Sequence, residues 1–229
     1  MDITLVIMTK SRKNRGLCVA GPDISTGKWI RLVADYEDDD ALSQTDLMCE
    51  DNWPADLLDV VTVPVLRKVP GRVQQENLLI DRGKVWRRRG SISLADAVRH
   101  FPPREQEDIF GSVSGNRAIA AGDFQPPGYS LQWIEVEDLV LAPNEWGKTM
   151  AAFWYAGVRW RQMSVTDSRF ERDTTSAQVV KRAWLALSIS EHPWQMPDGE
   201  AKYYIFVAGI HLPEYEQIKT RIFTTPKVL

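Results

Sequence analysis

Residues 8–33 read Met-Thr-Lys-Ser-Arg-Lys-Asn-Arg-Gly-Leu-Cys-Val-Ala-Gly-Pro-Asp-Ile-Ser-Thr-Gly-Lys-Trp-Ile-Arg-Leu-Val, and the parsing of this stretch decides the fold. It follows Ile3–Thr9, a β-branched, apolar run with the composition of a first strand. Lys10–Gly16 is polar and basic, cannot bury itself, and reads as a loop. Leu17–Ala20 resumes the apolar pattern. Gly21-Pro22-Asp23 and Ser25-Thr26-Gly27 are turn sequences, and Lys28–Val33 again has strand composition. Closely spaced short strands joined by Gly/Pro turns imply sandwich or barrel architecture rather than alternating βα units. A βα unit would need a helical stripe between them, and none is present.

Outward from this stretch the pattern persists. Asp59–Leu66 is strongly β-branched, with Pro64 predicting an edge position or a bulge. Leu78–Ile80 and Val85–Trp86 flank the turn Asp81-Arg82-Gly83. The period then changes. Leu94, Ala97, Val98 and Phe101 fall at i, i+3, i+4 and i+7 behind Ser93, an N-cap residue, and Pro102-Pro103 ends the helix. A second short helix is expected over Arg104–Phe110, and Gly111–Pro127 reads as a linker. Strands return at Leu131–Leu141, at Met150–Tyr155 and Val158–Val165 around the hairpin turn Ala156-Gly157, at Ala183–Ser190, and at Lys202–Ile210. A short helix is expected over Tyr215–Phe223. About five strands, a helical patch and about five more strands suit two small barrels in tandem. The expected domains are 1–125 and 126–229.

Composition narrows the function classes. With 229 residues and 44% hydrophobic content the chain can bury two cores and is not disordered. Its apolar runs are too short to span a membrane. The opening Met1-Asp2-Ile3-Thr4-Leu5 lacks the basic region of a secretory signal, so a cytoplasmic protein with reduced Cys18 and Cys49 is expected. A formal net charge of -3 excludes a uniformly basic nucleic-acid binder, so any anion site must be a local patch. His100, His192 and His211 are scattered without zinc-ligand spacing. No phosphate loop, Gly-x-Ser-x-Gly elbow or His-Glu-x-x-His motif occurs, so no cofactor or metal is expected and no nucleophile–base set is visible.

Nine tryptophans are the unusual count, too many to sit easily in small cores. Several lie among cations. Lys10, Arg12, Lys13 and Arg15 form one basic cluster, and Lys84, Arg87, Arg88 and Arg89 flank Trp86 in a second. Trp154, Arg159, Trp160 and Arg161 form a third, and Lys28, Trp29 and Arg31 a smaller one. Aromatic faces that stack bases, interleaved with guanidiniums that pair phosphates, are what single-strand binding requires. Thr166-Asp167-Ser168 reads as a turn capped by the Asp carboxylate. A protein- or nucleotide-sensing module and a nucleic-acid-processing enzyme are the alternative readings.

The same stretches carry a family resemblance. Residues 8–33 resemble the opening of the dual OB-containing domain family. Phe153–Glu171 is similar to its aromatic hairpin ending in Val-Thr-Asp, and Ala183–Trp194 with Lys202–Ile210 to its final strands. Ile189, Ser190 and the inserted His192 depart from the family's Leu-Ser-Leu-Gly-Glu-Pro turn. The resemblance implies two tandem OB barrels and nucleic acid as partner. It also implies a prokaryotic defence or genome-conflict setting, with a possible partner protein from such a system.

Overall fold

The computed structural model describes residues 1–35, 40–171, 178–197 and 199–213. The expected helix at 215–223 lies outside them. The first half contains β1 (Asp2–Val6), β2 (Thr9–Lys13), β3 (Gly16–Pro22), β4 (Trp29–Val33), β5 (Asp59–Lys68), β6 (Asn77–Ile80) and β7 (Arg87–Ser91). β1 and β2 are one strand bent at residues 7 and 8. The Ile7 amide donates to Asp59 of β5, whereas the next amide, of Met8, donates to Ala20 of β3. The bent strand thereby pairs with β5 through its first half and with β3 through its second. β3 pairs with β4, β4 runs parallel to β6, and β6 returns to β5, closing a five-member ring. β7 lies outside the ring, on β5.

The second half repeats this connectivity. β8 (Ala118–Ala120) precedes β9 (Leu131–Pro143), β10 (Thr149–Tyr155), β11 (Val158–Val165), β12 (Gln178–Ile189), β13 (Trp194–Gln195) and β14 (Ala201–His211). β9 pairs with β10 and β10 with β11. β11 runs parallel to β14, β14 pairs with β12, and β12 returns to β9. In both rings the third and fifth members form the parallel pair. This is the five-stranded OB barrel, twice. Between the rings stands α1 (Leu94–His100), whose N-cap Ser93 accepts from the Asp96 amide as the sequence predicts.

Alternation fills each barrel. Leu17, Val19, Ile30, Leu32, Val61 and Val63 point into the first, and Ile134, Val136, Phe153, Trp160, Leu185 and Val207 into the second. A third apolar cluster joins the barrels. Val6 and Met8 at the strand bend meet Leu94 and Ala97 of α1 and Trp133, Trp184 and Ala186 of the second barrel. Trp29 packs on Trp133 with ring centroids 6.4 Å apart. Gly209 lies against the Met8 carbonyl, where a Cβ would collide with backbone. Glycine here permits the close approach of the two barrels.

Several local expectations are corrected. Thr9–Lys13 is a strand, and the turn is confined to Asn14-Arg15. Thr9 and Ser11 are buried, while the charged Lys10, Arg12 and Lys13 keep some access to solvent. Val85–Trp86 is not a regular strand. Trp86 makes an isolated bridge to Cys49, and the regular strand starts at Arg87. Residues 104–110 form no helix, and the Arg104 amide instead donates to the Trp133 carbonyl. Within the expected linker, β8 adds to β14. The bulge that Pro64 predicts is found, just after it, at a register shift between Val65 and Arg67.

Candidate nucleic-acid interface

The first basic cluster is held by carboxylates. Lys10 pairs with Asp56 at 3.3 Å, Arg12 with Glu171 at 3.3 Å, and Lys13 with Asp40. Arg15 is exposed at the β2–β3 turn and forms no ion pair among the described residues. The second cluster is held in the same way. Lys84 pairs with Asp81 at 3.0 Å and Arg87 with Asp2 at 2.5 Å, and Arg88 joins both Asp51 and Asp59. Arg88's hydrogen bond holds Asp51 below the usual carboxylate range, and Lys84's does the same for Asp81. Arg89 donates to Thr62 Oγ1. Trp86, between these cations, is 1% exposed in the core of the first barrel and offers no face to a base.

The β4 cluster is also redirected. Ile30 and Leu32 point inward, so Trp29 and Arg31 point outward, yet the second barrel covers that side. Arg31 is 2% exposed. Its Nη2 donates to Ser130 Oγ at 2.7 Å and Ser188 Oγ at 3.2 Å, and pairs with Glu76 at 3.3 Å. Lys28 remains exposed at the β3–β4 turn. The β3–β4 face of the first barrel is thus part of the inter-barrel contact. That contact is extended by Glu191, whose carboxylate accepts from the amides of Arg72, Val73 and Gln74. The departure from the family pattern around Ser190 and His192 therefore flanks a residue with a structural task.

The corresponding face of the second barrel is open. The second barrel docks through β9, β12, the C-terminal end of β14 and the turn at Thr166–Ser168, which leaves the outer side of β10 and of β11 before that turn open to solvent. The hairpin turn Ala156-Gly157 has φ of 47° and 74°, the pair a tight type I′ turn needs. It brings Trp154 opposite Arg159, with the guanidinium 5.7 Å from the indole centroid. Trp160 points inward and is fully buried, so it belongs to the core. Arg161, two residues beyond Arg159, is exposed. Residue 116 bridges to Arg161, and the next residue, Arg117, donates to Ser164 Oγ at 3.4 Å while lying 5.6 Å from the Tyr204 ring centroid. Trp194, 62% exposed, meets Tyr204 edge-on at 6.1 Å. Trp154, Arg159, Arg161, Arg117, Tyr204 and Trp194 thus follow one another across a single outer face. Among the described residues Arg117, Arg159 and Arg161 form no ion pair.

A family model for the dual OB-containing domain matches residues 3–210. The chain belongs to the dual OB-containing domain family. A search of curated proteins finds no match. In this dual OB protein, the match runs from the first strand of the first barrel into the last strand of the second.

The dual OB chain uses Asp167 structurally. Asp167 is fully buried, accepts from the Ile210 amide at 2.8 Å, and is paired with Arg169, which is the turn-capping role its sequence context predicts. No group of three or more His, Cys, Asp or Glu among the described residues could hold a metal ion. No helix among them is long and apolar enough to cross a membrane. At one margin of the open face, a cleft of about 310 Å³ is lined by Glu135, Glu137, Trp154, Tyr155, Ala156 and Gly157. Both oxygens of Glu135 are engaged by Arg182, at 2.5 and 2.9 Å. Arg117, Trp194 and Tyr204 fall outside the basic–aromatic clusters visible in the sequence. Alternation in Lys202–Ile210 separates Tyr204 from the inward-facing Tyr203 and Ile205, whereas nothing local marks Arg117 before β8 is placed.

Proposed function

We propose that the protein binds single-stranded nucleic acid on the outer face of β10, β11 and β14, and that it does so without catalysing a reaction. The observation that carries this reading is the contrast in ion pairing. In the two N-terminal basic clusters all the cations but Arg15 and Arg89 are paired with the chain's own carboxylates, whereas Arg117, Arg159 and Arg161 stand on an open sheet face between exposed aromatics. Stacking on Trp154 and Trp194 would take bases, and the unpaired guanidiniums would take phosphates. The strand 2–3 face of an OB barrel is also the face such folds use for oligonucleotides, which is support by analogy. We further propose a cytoplasmic setting in a prokaryote, with a defence-system protein as a second partner, the latter supported by the family resemblance.

Fluorescence anisotropy of a labelled ten-nucleotide oligothymidylate, titrated with the full chain at several salt concentrations, tests the reading. Binding that weakens with salt, and a shallower salt slope for the double variant Arg159→Ala/Arg161→Ala, is expected. Absence of binding, or an unchanged slope in that variant, overturns it.

A further inference from the structure

We infer that the cleft beside Trp154 reads guanine within a bound single strand, an inference that rests on the nucleic-acid reading above. Trp154 is 42% exposed and forms one side of the cleft. Glu137 is its partner in the β9–β10 register, so the two side chains leave the same outer face side by side. Glu135 is committed to Arg182, but Glu137 is exposed and has no hydrogen-bond or ion-pair partner among the described residues. A carboxylate with both oxygens available therefore lies beside an open indole.

A base stacked on that indole turns its Watson–Crick edge toward neighbouring side chains. Guanine presents two adjacent donors there, N1–H and the N2 amino group, which match the two oxygens of a carboxylate. Adenine and cytosine present one amino donor next to a ring-nitrogen lone pair. Thymine and uracil present one N–H flanked by carbonyl oxygens. Each of these sets an acceptor against Glu137, so the carboxylate rejects them as well as favouring guanine. Arg159 stands on the other side of the same indole, placed to hold the phosphate of the stacked nucleotide. A cationic peptide side chain would also suit an indole and a carboxylate, but Arg159 against the ring and Arg161 beyond it repel such a ligand.

The experiment compares ten-nucleotide oligothymidylate with the same strand carrying one central guanine or one central inosine, which lacks the N2 amino group. The full chain and Glu137→Gln are each titrated, with circular dichroism checking that the variant is folded. Guanine is expected to bind on the order of tenfold tighter than thymine, with inosine losing most of that gain. In Glu137→Gln the guanine-to-thymine ratio should fall to about one. Equal affinities for all strands in the natural chain overturn the pocket and leave the nucleic-acid reading intact. A guanine preference that survives Glu137→Gln also overturns it. No binding to any strand overturns both. A lysine-rich peptide that competes for the natural chain but not for Glu137→Gln, with no guanine preference, assigns the cleft to another ligand and ends the proposal.

Discussion

Arg31 of the first barrel donates from Nη2 to the hydroxyl of Ser130 in the second at 2.7 Å, with its side chain 3% exposed. Ser130 in turn hydrogen-bonds to Glu76, which pairs with Arg31, so a buried ion pair is seated inside a polar socket made by both barrels. The socket occupies the face of β4 that an isolated OB barrel would offer to a ligand. Having two barrels does not give this protein two equivalent binding faces. One face is used to join the barrels, and the other is left open.

Replacing Arg31 by Ala should destabilise the fold by about 3–5 kcal/mol, because Glu76 is left as an uncompensated buried charge. Urea unfolding of the variant measures this. The double variant Arg31→Met/Glu76→Leu, which removes both charges and keeps apolar volume, should recover most of the loss. Equal destabilisation in the single and double variants would contradict the ion-pair account.

The salt dependence of binding should divide the basic clusters. Single-strand affinity falls with a log–log slope near −0.7 per phosphate contacted. Arg159→Ala/Arg161→Ala should flatten the slope by about 1.4 if each residue holds one phosphate. Lys84→Ala should leave the slope unchanged, because Lys84 is already paired with Asp81. A flattened slope in Lys84→Ala would show that the second cluster binds after all.

Much of this fold is legible in the chain, because local rules and tertiary structure agree. The Ser93 cap, the Ala156-Gly157 turn and the two strands that flank it act through short-range backbone geometry, and each appears where the pattern puts it, although a bulge at Gln162 that nothing in the pattern marks interrupts the second strand. The site is less legible. Arg31 and Arg159 look alike in sequence, each an Arg near a Trp on a strand. Only the docking of the second barrel separates the buried arginine from the open one. Likewise the carboxylates that hold Arg12 and Arg88 come from distant positions, Glu171 for the first and Asp51 and Asp59 for the second. A pattern of charge along the chain carries no information about such partners.

Stability should decline in alkali. Burial is the main cause that pushes the Cys49 thiol up from its ordinary 9.0 to about 11, and burial also raises the hydroxyls of Tyr129 and Tyr155. The unfolded chain releases the Cys49 proton from about pH 9 upward, whereas the folded chain keeps it until about 11. Over that window the unfolded state binds fewer protons, so unfolding becomes easier as pH rises. The expected loss from Cys49 is on the order of 2 kcal/mol between pH 9 and 11. Denaturant titrations at pH 7, 9 and 11 measure it, and Cys49→Ala should show a shallower decline.

Two tryptophans on the same hairpin should respond oppositely to truncation. Trp160 is fully buried among the β-barrel side chains, so Trp160→Ala leaves a large cavity and should cost about 3–5 kcal/mol of stability. Trp154 is 42% exposed and packs on Arg159, so its loss removes little core. Trp154→Ala should unfold at nearly the denaturant concentration of the natural chain, yet lose about 1–3 kcal/mol of oligonucleotide affinity if it stacks a base. Trp160→Phe, which keeps an aromatic ring in the core, separates packing from contact and should bind nucleic acid like the natural chain wherever it is folded. If Trp154→Ala binds as well as the natural protein, stacking at this position is excluded and the open face must hold its ligand through the arginines and Trp194.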